Sequence, residues 1–184
     1  MSDNLPTEAH APSSVNHVVF NVADIEESHD FWTRIIGFTH VGSLDNNPNF
    51  RFYAGRVDGE IVSHHDLALV QSEEVTKPEG EWSMRPSRLG ANHIAITWPT
   101  REAWLHQVEW LRLNDIKFHV RLDHGMTHSV YVSDPNGIGI EVLYEVPEEI
   151  WMNNIHEGLN YAARIDTPED QPIQDNVDYK VFSS

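Results

Sequence analysis

Short apolar runs rich in β-branched residues, each followed by one amphipathic stripe, occur twice along the chain. Val15 to Val22 is the first such run and predicts a strand. Asp24, with Glu27 three residues on, forms a capping box. Ile25, Ser28, Phe31, Trp32, Ile35 and Ile36 then fall on one stripe that Gly37 ends, which predicts a helix. Phe38 to Gly42, Asn49 to Val57 and Ile61 to Gln71 predict three strands, separated by turns at Asn46-Asn47-Pro48 and Asp58-Gly59.

The pattern then begins again. Ala91 to Trp98 repeats the Asn-His-apolar opening of the first strand. Pro99-Thr100 starts a helix carrying Ala103, Trp104, Val108 and Leu111 on one side and stopping near Asn114, and Phe118 to Leu122 is the next strand. Two β-rich runs, Thr127 to Ser133 and Ile138 to Tyr144, flank Asp134-Pro135-Asn136-Gly137 and predict a hairpin. With a three-residue loop Asp134 pairs with Ile138, so counting back sets Tyr131 opposite Glu141 on one face.

Two βαβββ modules, residues 15–71 and 91–145, therefore share one domain, joined by a charged, Pro- and Gly-containing linker, 72–90. A small module with one apolar sheet face buries it best against its own copy, so the expectation is an α+β fold in which the pair curls into a half-open barrel around one metal site. Residues 1–14 read as a loose lead-in. Residues 146–184 lie outside the repeat, with a short helix from Pro147 to Leu159 and then an acidic tail. Trp32, Trp104 and Trp110 read as core or interface, whereas Trp82 and Met84 are unusual in a linker and are candidates for a pocket wall. An exposed apolar stripe with Trp151, Met152 and Ile155 favours a subunit contact and a homo-oligomer.

Composition narrows the chemistry. The 184 residues contain no cysteine, so disulfides, thiolate metal sites and cysteine nucleophiles are excluded, and any metal must use histidine and carboxylate. A formal charge of −17 without a basic cluster argues against nucleic acid and anionic membrane as partners. No apolar run reaches the length of a membrane span, and Met1 to Ser14 lacks the pattern of a signal peptide, so the expected location is the cytoplasm.

A lone carboxylate in an apolar strand, Glu141, is costly to bury unless something pairs with it. His17 and His93 occupy equivalent places on the first strand of each module. Two imidazoles and a carboxylate match the triad that holds iron(II) with open positions. Taken singly, either histidine is better explained by inheritance from a duplicated strand and a backbone carbonyl partner; taken together with Glu141 on a third strand, the metal reading moves ahead. On the last strand of the first module, alternation sets His65, Leu67 and Leu69 on one face and His64 and Asp66 on the other; a polar edge with two solvated histidines is an equal reading of this stretch.

Asn16-His17-Val18-Val19, His64-His65-Asp66-Leu67-Ala68-Leu69, Asn92-His93-Ile94-Ala95, Asp123-His124-Gly125 and Tyr131 to Gly137 ending in Ile140-Glu141 together resemble the signature run of type I extradiol ring-cleaving dioxygenases, within the vicinal oxygen chelate superfamily. The resemblance covers about residues 14 to 145. It implies that His17, His93 and Glu141 hold iron(II), with manganese(II) sharing the same ligands. It makes His65 the acid and base, Tyr131 a substrate-positioning group, and His124 a contact to bound substrate and oxygen. The implied reaction opens a catechol beside its diol with O2 to give a muconic semialdehyde type of product, an oxidoreductase step of aromatic hydrocarbon catabolism. Larger relatives carry a further, non-catalytic domain, so the resemblance implies a single-domain form.

Two alternatives keep this fold. A glyoxalase-like or epimerase-like isomerase generally places a fourth metal ligand on the last strand of the first module, where His65 and Asp66 are available. A small-molecule binding protein would need no acid and base group beside the metal.

Overall fold

The computed structural model describes residues 9, 11–85, 90–167, 172–175 and 177–182, so most of the expected lead-in, part of the linker and part of the tail, including Pro168, lie outside the described residues. Strand β1 (Val18–Val22) leads into helix α1 (Ile25–Asp30), followed by β2 (Thr39–Leu44), β3 (Asn47–Ala54) and β4 (Leu67–Gln71). The second module repeats the order with β5 (His93–Thr97), α2 (Arg101–Leu113), β6 (Val120–Asp123), β7 (Thr127–Ser133) and β8 (Gly139–Glu145). Short helical turns, α3 (Ile155–Leu159) and β9 (Ala163–Arg164) follow.

The strands form two mixed sheets, β1-β4-β3-β2 and β5-β8-β7-β6-β9. In each module the first strand runs parallel to the last, Val18 beside Leu67 and Ile94 beside Ile140, while the other named pairs are antiparallel. The two sheets remain separate and do not close into a barrel. The added strand β9, which the repeat pattern does not contain, extends the second sheet at β6.

Alternation sorts each sheet into two faces. Val22, Leu67, Leu69, Val130, Val132, Ile140 and Val142 pack with the helices in one shared core. The α1 stripe is buried as its spacing predicts, and Asp24 caps it by accepting from the Glu26 and Glu27 amides at 2.8 and 2.9 Å. Beyond Asp30 the helix widens into a π turn, Phe31–Ile35, closed by the Ile36 amide on the Phe31 carbonyl, and Gly37 leaves it at φ +99°. Helix α2 buries Trp104, Val108 and Leu111, and the Trp104 indole donates to the Val142 carbonyl at 2.9 Å.

The hairpin turn ties the modules together. The Asp134 amide donates to the Ile138 carbonyl at 2.9 Å, and Gly137 takes φ +77°, as the turn chemistry requires. Buried Asp134 accepts from the Asn136 and Ile138 amides and from the Trp32 indole of the first module. Asn136 accepts from the Ala23 amide and donates to Ser28 Oγ, both at 3.0 Å.

The last predicted strand of the first module differs. Only Leu67–Gln71 is strand, because β4 pairs with β1 from Val18 onward, and Asp66 instead turns its carboxylate onto the Gly55 amide at 2.8 Å. The faces that alternation assigns to His64, His65 and Asp66 therefore do not apply: these residues sit in the loop ahead of the ladder.

The described part of the C-terminal extension touches the second module at several points. Phe182 is buried, Asp175 has no exposed side chain, and Met152 and Ile155 are each 45% exposed. Among the described residues, no helix is long and apolar enough to cross a membrane.

Candidate active site

The sheet faces turned away from the core carry the candidate residues and their neighbours, which together make up a cup. From the second module it receives His93, Glu141, Tyr131 and Ser129; from the first, Val19, Ala68, Phe50 and Phe52, the register partners across β1, β3 and β4. Tyr131 stands directly opposite Glu141, the pairing that the hairpin count predicts.

Glu141 is 7% exposed and held at both oxygens. Ser129 Oγ donates to Oε1 at 2.6 Å, and His93 Nε2 lies 3.1 Å from Oε2. His124 Nε2 is 3.0 Å from the Tyr131 hydroxyl and 4.0 Å from Glu141 Oε1. Burial, followed by the neighbouring Glu141 charge, pushes the Tyr131 phenol well above its ordinary range, so it stays protonated at neutral pH. Trp82 covers this group: its ring stacks on Tyr131 at 5.6 Å, and its indole donates to the Asn92 carbonyl at 2.8 Å. A Cβ at Gly139 would lie 2.1 Å from Trp82 Nε1, which is why that position carries none.

The candidate residues of the first module form a second group. The His17 and His65 rings are 4.5 Å apart, His64 Nδ1 is 2.7 Å from His65 Nδ1, and Phe52 packs against His65 at 4.9 Å. Lost hydration first, then the neighbouring His17 and His64, hold the His65 imidazole below its usual range. Among the described residues no three histidines or carboxylates meet closely enough to make a finished cage.

The donor chemistry nevertheless fits a divalent ion. His17 Nδ1 and His93 Nδ1 each face the side-chain oxygen of the preceding asparagine, Asn16 or Asn92, at 2.7 Å. With the asparagine oxygen accepting from Nδ1–H, Nε2 is the nitrogen available to an ion, and the asparagine supplies the outer hydrogen bond that ligating histidines need. The 3.1 Å between His93 Nε2 and Glu141 Oε2 matches the roughly 3 Å separating two donors at right angles on one ion with bonds of about 2.1 Å.

The repeat also shows what stands in the first module at the place of Glu141. Two residues after His93, Ala95 pairs with Glu141; two residues after His17, Val19 pairs with Ala68. A methyl group thus stands where the second module has its carboxylate.

Residues 14–142 match the model of the Glyoxalase/Bleomycin resistance protein/Dioxygenase superfamily. The chain belongs to this superfamily. A lactoylglutathione lyase of Pseudomonas putida is 28% identical over 150 residues, covering 72% of this chain and 85% of that protein. Biphenyl-2,3-diol 1,2-dioxygenase 2 of Rhodococcus globerulus is 30% identical over 102 residues, covering 53% of this chain and 51% of the dioxygenase, so the match spans about half of that protein. A glyoxalase/dioxygenase from Nostoc punctiforme shares the fold at TM-score 0.59 and 21% identity, over 78% of this chain and all of that one. Membership of the superfamily makes the function one of metal-dependent glyoxalase or dioxygenase type.

Ser129, Ala68 and the roles of Asn16 and Asn92 escape a reading of motifs. Ser129 is two residues from Tyr131 on the same face, diagonal to Glu141, and that spacing was the available signal. A cavity of about 530 Å3 lined by Ile36, Phe38, Arg56, Trp98 and His106 includes none of the six candidate residues.

Proposed function

We propose that the protein is an iron(II)-dependent extradiol dioxygenase that opens a catecholic ring beside its diol with O2 to give a muconic semialdehyde type of product. The observation that carries this reading is Ala68. With a methyl group in that place and Asp66 engaged by the Gly55 amide, His17, His93 and Glu141 are the three protein donors, and positions remain for a chelating diol and for oxygen. His93 and Glu141 already converge, and His17, exposed at the start of β1, supplies the third. Bound iron(II) supplies Lewis acidity toward the diol and a path for electrons from ring to oxygen.

The chain's own groups do the rest. His65, held below the usual imidazole range, is neutral at pH 7 and accepts the proton of a catechol hydroxyl, then returns it as the ring opens. Tyr131 keeps its hydroxyl proton and, steered by His124 at 3.0 Å, orients the substrate oxygen. Phe50 and Phe52, stacked at 5.1 Å on the Ala68 face, offer an apolar flank for an aromatic ring. The similarity to a biphenyl-2,3-diol dioxygenase supports this substrate class.

A second reading, a metal-dependent isomerase, is favoured by the match to 85% of a lactoylglutathione lyase. Anaerobic loading with iron(II), followed by a catechol panel and air, separates the two. Oxygen uptake with a yellow ring-opened product supports cleavage; no uptake, together with turnover of a thiol adduct by the nickel-loaded protein, overturns it in favour of the isomerase.

A further inference from the structure

The C-terminal strap, residues 172–182 as far as they are described, reaches the loop that carries His124 at two points. At the first, Asp175 is buried beneath the second sheet. Its carboxylate accepts from Tyr144 Oη at 2.6 Å and from Arg101 Nε at 3.0 Å, and lies 2.7 Å from His128 Nδ1. The other nitrogen of that ring, His128 Nε2, is 3.4 Å from Asp123 Oδ1, long for a hydrogen bond but close for a charge pair. The same Asp123 oxygen accepts the Gly125 amide at 2.6 Å. At the second point Phe182, anchored by its amide on the Ile150 carbonyl at 2.9 Å, lies over Gly125. A Cβ at Gly125 would come within 2.4 Å of the Phe182 ring, and Gly125 has φ +73°.

Between these points stands His124. Its amide donates to the Thr127 carbonyl at 2.8 Å, while its Nε2 meets the Tyr131 hydroxyl on the opposite face of the sheet from His128. Burial alone would lower the His128 imidazole, but Asp123 and Asp175 outweigh it and raise the group to about 9, so the ring is an imidazolium held between two carboxylates. Asp175 and Asp123 are thus joined through one charged ring, and a docked strap fixes the backbone on both sides of His124.

We infer that the strap positions the active site: Asp175, His128, Asp123 and Phe182 are positioning residues that hold the 123–125 loop so that His124 faces Tyr131 and Glu141. The inference rests on the dioxygenase reading only for its kinetic consequence. A strap that merely adds stability would loosen the whole second sheet when weakened; a positioning strap loosens one loop.

Two full-length variants test this. His128→Asn keeps a polar group near the Nδ1 place, facing Asp175, and has none at the Nε2 place, so it cuts the link to Asp123 with the strap docked. Phe182→Ala removes the cover over Gly125. In metal-free protein, amide exchange at His124 and Gly125 is expected to rise tenfold or more in each variant, with exchange across β1 to β4 and β8 unchanged and the ring 15N shifts of His124 moved. In iron-loaded protein, catechol-dependent oxygen uptake is expected to lose about tenfold in kcat at unchanged iron content. Unchanged exchange at His124 and Gly125, or an equal rise across the whole second sheet, overturns the inference. Wild-type protein that takes up no oxygen with any catechol overturns the dioxygenase reading alone, because the exchange and ring-shift measurements need neither metal nor substrate.

Discussion

Ala68 stands in the first sheet where Glu141 stands in the second, each beside the residue that follows a module's Asn-His pair by two positions. On the proposed dioxygenase reading, a methyl group rather than a carboxylate there leaves His17, His93 and Glu141 as the protein ligands. Ala68→Glu is therefore expected to raise affinity for nickel or zinc by tenfold or more and to abolish catechol-dependent oxygen uptake, since the new donor takes a position that substrate or oxygen needs. Metal titration and oxygen-electrode assays check both halves; a variant that retains full oxygen uptake contradicts the role assigned to this place.

Ser129 is the partner that turns Glu141 toward His93. Without the 2.6 Å bond to Oε1, the carboxylate gains rotational freedom and one buried oxygen loses its donor. Ser129→Ala is expected to weaken iron(II) binding by about 10- to 100-fold while leaving the circular dichroism spectrum unchanged. Competition with a chromophoric chelator measures this directly.

His128 links stability to pH in one direction. Its folded pKa of about 9 lies above the ordinary 6.5, so the stabilisation is fully present below pH 6.5 and is lost as pH rises through 9. The shift corresponds to a contribution on the order of 3 kcal/mol. Asp123 and Asp175, both held below the usual carboxylate range despite burial, contribute in the opposite sense and lose their share only as pH falls below about 4. Thermal melts between pH 6 and 10 should show a decline in wild type that His128→Asn lacks; parallel curves would contradict the pairing.

Asn136 carries the contact between the hairpin and the first module. Asn136→Ala leaves the Ala23 amide and Ser28 hydroxyl without these bonds and removes a donor from Asp134. A loss of about 1–3 kcal/mol is expected in urea denaturation, because each is a buried or half-buried polar group left unmet. A midpoint unchanged from wild type would place the module contact elsewhere.

Local chemistry made much of the fold legible. The capped, stripe-bearing helices, the Asp-Pro-Asn-Gly turn and the Tyr131 and Glu141 pairing follow from residues close in the chain, where turn type and strand period leave little freedom. The stretch from Ile61 to Asp66 misled the strand assignment because its alternation was never used: β1 offers no ladder before Val18, and Asp66 finds a better partner in the Gly55 amide.

The sequence by itself determined the duplicated order of strands and helices and the positions of His17, His93 and Glu141 within it, because periodicity and turn preferences act between neighbours. Only the tertiary structure decided that Ser129 holds Glu141, that Trp82 lies over Tyr131, and that an acidic tail buries Asp175 against His128. Those contacts join residues far apart in the chain, and what selects them is the need of each buried polar group for a partner once the two sheets have packed.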